Sequence, residues 1–351
     1  VIAGIYAVGM YTPPDVRRND WWSPEIAASW MAQRRPIPMP PELDASGRRV
    51  LAAIVDTARD PFSGTVERRV MPASMTMLDA EVLAAQDAIA KSGVDPRDID
   101  LLLLHAIVPD HQLANPACEL HARLGLAPQS LALHVEATGY TSLAQLGLAE
   151  AAIVAERSRF ALCVQSCAAT RLVERDDPSS PLVGDAATAF VVGPVVAGRG
   201  VLATAHFTEG DYPDSLIMSV PGARWYDPGK VRVHVGNPAQ LFAAHLRTAA
   251  TCAQAVNVAL ERANHHLEDV DALCVVQGTA WLQRVVYDEL GVSLQSMDTF
   301  RRFAYLSSAA IPAALFEAVH TGEIVDDDLV VVVSGGTGMT YGAAVMRWGR
   351  S

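Results

Sequence analysis

The segment Leu133 to Leu146 reads LHVEATGYTSLAQL and gathers a carboxylate, a phenol and several hydroxyls in one short corner. An apolar strand end passes into a helical run through small residues, the kind of junction at which enzymes place a nucleophile. Thr138 and Ser142 bring hydroxyls close to the expected helix start. A hydroxyl nucleophile needs a base, because its free pKa is far too high. The same residues suit capping, with Thr138 or Thr141 as N-cap. Glu136 is the adjacent carboxylate. Buried, it would have a raised pKa and could serve as general base; paired or hydrogen-bonded, it would be structural. Tyr140 either donates into a pocket or fills space. The corner itself contains no cysteine.

Other reactive side chains are dispersed. His105 lies at a strand end, His111 in the loop beyond it, and His134 just before the corner. His206 and His234 fall in strand regions of the second half, and His265–His266 in a polar loop with spacing poor for a metal. Each histidine alone is more often structural. Trp281, Trp225 and the pair Trp21–Trp22 either line an entry mouth or pack. Arg17, Arg18, Arg34, Arg35, Arg48 and Arg49 would suit an acidic carrier helix or a phosphate, or would form a solvated basic loop. The five cysteines (Cys118, Cys163, Cys167, Cys252, Cys274) have no zinc spacing. They read as small buried hydrophobes of a reduced, cytoplasmic protein with no metal.

The elements that would position these groups follow from composition and periodicity. The chain has 351 residues, half of them hydrophobic and 19% charged, with mean hydropathy +0.19. That suits a large core in one domain or two fused halves. The net charge of −12 argues against a general nucleic-acid binder. Apolar runs such as Leu101–Leu104 and Leu329–Val333 are too short to cross a bilayer and read as buried strands, so no membrane role is expected. The opening VIAGIYAVG also reads as a strand rather than a leader. GVDPRDIDLLLLHA followed by helix, strand and helix parallels HLEDVDALCVVQG followed by helix, loop and helix. The spacing predicts two similar α/β halves, 1–193 and 194–351, with strands buried on both faces. Residues 30–60, rich in Pro and Arg, read as an irregular surface insertion around a short helix.

Several stretches, in order, carry a family likeness. GDAATAFVVG resembles the GDGAGAVVLG strand pair of the initiating ketoacyl-ACP synthase III group. VHVGNPAQLF resembles its MxGxxVF segment, SSAAIPAAL its NTSAASIPIAL helix start, and SGGTGMTYGAAVMRW its closing GGGxTWGAxLxRW. The resemblance implies a thiolase-like five-layered α/β/α/β/α fold with duplicated halves and a homodimer. It also implies acyl transfer from an acyl-CoA or a phosphopantetheine thioester on an acyl carrier protein, with no tightly bound cofactor. The family chemistry uses a Cys at a helix N-terminus, where the dipole lowers its pKa, a His from HQAN and an Asn from GNTSAA.

This chain departs at all three positions. The Cys of DxxAACxGF falls on Gly139, the His on Val276 with Gln277 kept, and the Asn on Tyr305. The oxyanion glycine falls on Thr337, where a backbone N–H survives alongside that of Gly139. The Arg of TGIRERR falls on Val66, with Arg68 and Arg69 following as candidates for a substrate or carrier, together with Trp281, Ser307 and His111. Tyr305 is either a proton donor or a pocket wall. Decarboxylative ketosynthase chemistry is therefore the least favoured activity. Three expectations remain. One is a divergent acyltransferase of polyketide-type specialised metabolism that uses Thr138, Tyr140, Ser142, Gln277, Tyr305 or Glu136. Another is a non-catalytic partner in a heterodimer with a ketosynthase-like chain. The last is a pocket repurposed for cyclisation or hydrolysis.

Overall fold

A computed structural model describes residues 1–34, 42–293 and 298–350. The first half contains β1 (Ile2–Tyr11), β2 (Asp15–Arg18), α1 (Pro24–Gln33), α2 (Ala45–Thr57), β3 (Glu67–Val70), α3 (Met77–Ser92), β4 (Ile99–Ala106), α4 (Pro116–Leu124), β5 (Leu131–His134), α5 (Thr141–Val154), β6 (Phe160–Ala168) and β7 (Asp185–Val195). Then come β8 (Gly200–Tyr212), β9 (Ile217–Ser219), β10 (Arg232–His234), α6 (Pro238–Ala263), β11 (Ala272–Val275), α7 (Leu282–Leu290), α8 (Phe300–Phe303), α9 (Ala310–Thr321), β12 (Leu329–Gly336) and β13 (Gly338–Arg347).

Two large sheets result, with strand orders β1-β7-β6-β4-β5 and β8-β13-β12-β11. From the β1 and β8 edges inward, both sheets make two antiparallel pairings and then a parallel one. The internal duplication is thus visible strand by strand, and among the described residues only the first sheet carries a fifth strand, β5. Every residue of β6 and the first nine of β7 are buried. Continuous burial requires cover on both faces, as in α/β layering. Helices α5 and α9 pack between the sheets, α3 and α4 cover the first sheet, and α6 and α7 cover the second. The central helices are rich in alanine, which lets two sheets approach one helix layer closely: Ala149 in α5 and Ala310, Ala313, Ala314 and Ala318 in α9 are all buried. This is the expected five-layered α/β/α/β/α arrangement.

The region 30–60 departs from the expected irregular insertion. Asp44 caps α2 by accepting from Gly47 N at 2.7 Å, and the helix buries Val50, Leu51 and Ala53 where it packs on α6 and α7. Trp30 of α1 is enclosed against Trp22 and Phe62. The apolar face of α2 outweighs the breaker-rich composition beside it, because burial rather than propensity supplies most helix stability. Residues 35–41, with Arg35, lie outside the described residues. No helix of the described residues is long and apolar enough to cross a membrane.

Candidate active site

The corner after β5 is a single 3-10 turn, Thr138–Tyr140, leading into α5. Thr138 adopts φ +49°, a left-handed conformation unusual for a threonine. Thr141 stabilises the turn: its hydroxyl accepts from Ala137 N at 2.9 Å and donates to Thr138 O at 2.8 Å. Neither Thr138 nor Thr141 caps α5, whose N-cap position is Tyr140 with no side-chain hydrogen bond; Thr141 holds the preceding turn instead. The Thr138 and Ser142 hydroxyls are buried with no hydrogen-bond partner among the described residues. With no base at either oxygen, neither is an activated nucleophile.

Glu136 is not a buried base. Its side chain is 57% exposed, receives a hydrogen bond from Thr138 N, and lies 3.0 Å from His105 Nε2. Partial burial pushes its pKa up, but the hydrogen bonds and the imidazole outweigh this and hold the carboxyl below its usual range. His105 Nδ1 lies 2.6 Å from Ser308 Oγ, and its ring stacks on His134 at 5.9 Å. These contacts tie the corner to the start of α9. Tyr140 is enclosed and its hydroxyl bonds to His206 Nδ1 on β8. Burial pushes the phenol pKa up, so Tyr140 is a protonated strut rather than a pocket donor.

The decisive contact lies at Gly139. A Cβ there would overlap the Tyr305 hydroxyl and stand 2.7 Å from Gly335 O. Real Cβ contacts are not that short, so the Tyr305 phenol occupies the space into which a side chain at position 139 would grow. Its backbone is pinned on both sides: Tyr305 N donates to Leu182 O at 2.9 Å, and Gly184 N donates to Tyr305 O at 3.2 Å. Burial, reinforced by nearby Cys167, raises the phenol pKa against a hydrogen bond with Ser307. Tyr305 therefore stays protonated and able to donate.

Beside this phenol lies a cavity of about 120 Å³ between α6, the end of β12 and the turn into β13. Leu241, Val276, Leu282 and Met339 supply apolar walls; Tyr305, Thr337, His245, Thr248 and Thr251 supply polar atoms. Apolar walls with a few convergent polar groups are the usual form of a ligand site. The volume is far below the ~300 Å³ at the small end for drug-sized ligands. Of the residues expected from the sequence, Tyr305, Thr337 and Val276 meet in this cavity, with Gly139 against the Tyr305 hydroxyl.

The others do not line it. Gln277 accepts from Phe300 N at 2.8 Å and Thr299 Oγ1 at 3.1 Å and donates to Gln283 Oε1 at 2.7 Å, so it positions the chain near α8. Trp281 is buried behind the wall, edge-on to His245 at 5.6 Å. Ser307 is buried, with φ +52°. Arg68 is fully enclosed over the Trp22 ring and donates to Pro181 O, Arg17 O, Asn19 Oδ1 and Thr65 Oγ1. Its guanidinium joins the β2–β3 hairpin to the neighbouring loop, leaving none of it for a phosphate. Arg69 is half-buried and reaches Pro13 O. His111 is exposed and lines a different cavity, beside Glu81.

The arginine group is divided among separate partners. Arg17 stacks on Trp21, Arg18 pairs with Glu67, Arg49 with Glu289, Arg34 binds loop carbonyls and Arg48 binds Leu43 O. Trp225 is exposed. Cys118 is the exposed exception among cysteines that are otherwise buried. Sequence reasoning missed His245. Leu241, Ala244, His245, Thr248 and Cys252 follow the i, i+3, i+4 pattern along α6, so reading that helix face would have placed the imidazole inward.

Residues 260–348 match the model of the 3-oxoacyl-(acyl-carrier-protein) synthase III C-terminal family. Among curated relatives, beta-ketoacyl-(acyl-carrier-protein) synthase III of Symbiobacterium thermophilum is 31% identical over 312 residues, covering 86% of this chain and 93% of the relative. The enzyme of the same name from Geobacillus kaustophilus is 30% identical over 290 residues, covering 82% and 88%. The solved synthase III from Thermus thermophilus superposes with a TM-score of 0.79 at 25% identity, covering 99% of this chain and all of that one. A priming beta-ketosynthase from a polyketide pathway shares the fold with a TM-score of 0.80 at 22% identity, covering 99% and 96%.

Proposed function

The chain belongs to the beta-ketoacyl-(acyl-carrier-protein) synthase III family, and from that premise we propose that it transfers an acyl group from a CoA or acyl-carrier thioester to an acceptor bound in the same cavity, without a covalent enzyme intermediate. The observation that carries this reading is the Tyr305 phenol in the space of the missing nucleophile, beside a cavity that persists. A protonated phenol can donate to a thioester carbonyl oxygen and stabilise the charge that develops there. The Thr337 backbone N–H at the cavity wall is a candidate second donor. Holding donor and acceptor together supplies rate acceleration through proximity alone. Val276 offers no hydrogen bond to an enolate, which disfavours decarboxylative condensation. The setting we assign is polyketide-type specialised metabolism, with an acyl carrier protein as the macromolecular donor.

Two measurements test this. Intact-mass spectrometry during turnover of acyl-CoA should show release of free CoA with no acyl adduct on the protein. Tyr305→Phe should lower kcat by about 10²–10³-fold, the effect of deleting one oxyanion donor. Unchanged kinetics would remove Tyr305 from the chemistry. Turnover that appears only when a ketosynthase-like chain with an intact Cys-His-Asn set is added would replace this reading with that of a non-catalytic partner subunit.

A further inference from the structure

The family pattern places its imidazole at position 276, where this chain has valine, yet an imidazole still faces the cavity from a different element. His245 on α6 lines the same space as Val276 and Tyr305. Its ring is held edge-on by Trp281, 5.6 Å away at 85°. Burial lowers its pKa to about 4, so at neutral pH it is an uncharged imidazole with one N–H and one lone pair. The remaining polar side chains of the cavity are hydroxyls and one thiol. Burial pushes the Cys252 thiol up to about 12, so it does not compete as a base.

We propose that His245 is the general base of the reaction, and that the acceptor it serves is a hydroxyl; this rests on the acyl-transfer reading above. In the step, the acceptor oxygen attacks the thioester carbonyl carbon while Tyr305 donates to the carbonyl oxygen. The hydroxyl proton passes to the His245 lone pair. The carbon–sulfur bond then breaks, the new carbon–oxygen bond remains, and the proton leaves on the thiolate sulfur as free thiol. An ester and a thiol are the products, and the imidazole returns to its starting state.

The test uses the full chain with butyryl-CoA as donor and two probe acceptors, n-butanol and hydroxylamine, followed by CoA release. An alcohol must lose its proton to attack well, whereas hydroxylamine attacks as a neutral amine and needs little help. His245→Gln should lower transfer to butanol by about 10²–10⁴-fold, the usual span for a general base, with hydroxylaminolysis largely retained. His245→Ala should behave alike, and the isosteric Gln variant serves if Ala does not fold. Equal losses with both acceptors would assign His245 a structural role and overturn the inference, as would wild-type rates in both variants. In those cases wild-type turnover leaves the acyl-transfer reading intact. A wild-type chain that neither binds butyryl-CoA nor releases CoA with either acceptor overturns both.

Discussion

At the scale of the residue, the site is defined by a pair of substitutions that make sense only together. Gly139 is required by the Tyr305 hydroxyl, and Tyr305 can reach its place only because residue 139 has no side chain. Gly139→Ala should therefore destabilise the fold by about 1–3 kcal/mol, the usual penalty for overfilling a packed interior. Adding Tyr305→Phe should recover part of that loss, since the ring carbon Cζ lies 3.6 Å from the new Cβ, an ordinary contact, while Gly335 O remains close. Urea unfolding of the two single variants and the double variant gives the coupling. Strictly additive effects would show that the two residues do not share one space. By the same contact, Gly139→Cys would set a thiol against the Tyr305 phenol.

At the scale of the element, α3 meets the first sheet through a buried acid. Glu81 is enclosed and accepts a hydrogen bond from Ser166 Oγ on β6 at 2.6 Å. Burial raises its pKa to about 7, opposed by the Ser166 bond and reinforced by Asp110 and Glu119. A carboxyl with a raised folded-state pKa holds its proton more tightly folded than unfolded. Its contribution is thus fully present below the unfolded value near 4.5, falls as pH rises toward about 7, and is flat above that. Over this window wild type should lose about 3 kcal/mol relative to Glu81→Gln. Urea midpoints at pH 5 and pH 8 for both proteins give the difference, and parallel pH profiles would refute the assignment. Helix α5 makes a complementary point. Its own first turn has no side-chain cap, and Thr141 instead secures the preceding turn through Ala137 and Thr138.

At the scale of the whole molecule, the first sheet ends on β5 with one side unpaired among the described residues. Leu131 and Leu133 on that strand are 55% and 41% exposed, and Leu113 in the loop before α4 is 91% exposed. An exposed apolar edge strand is a template for pairing with another chain. Such an edge predicts pairing with a second copy of the chain. The isolated chain should sediment as a dimer, and the double substitution Leu131→Lys, Leu133→Lys should yield monomers. A wild-type monomer at micromolar concentration would refute the prediction.

The sequence alone determined the layered α/β class and its duplication, because continuous apolar runs and helical periodicity are local signals that burial on two faces imposes. It aligned Gly139 with the family's Cys, and Val276 and Tyr305 with its His and Asn, because motif spacing survives when side chains change. It could not rank the candidates around them. Whether Glu136 was a buried base or a paired carboxylate, whether Thr138 or Thr141 held the turn, and whether Arg68 met a substrate or its own fold depended on contacts between residues distant in sequence: His105, Pro181, Asn19. Only the tertiary structure brought the Tyr305 phenol against Gly139, 166 positions away in the chain, and turned His245 of α6 toward the same cavity. Side-chain direction and desolvation are properties of packing, and packing is decided by the whole fold rather than by any one segment of it.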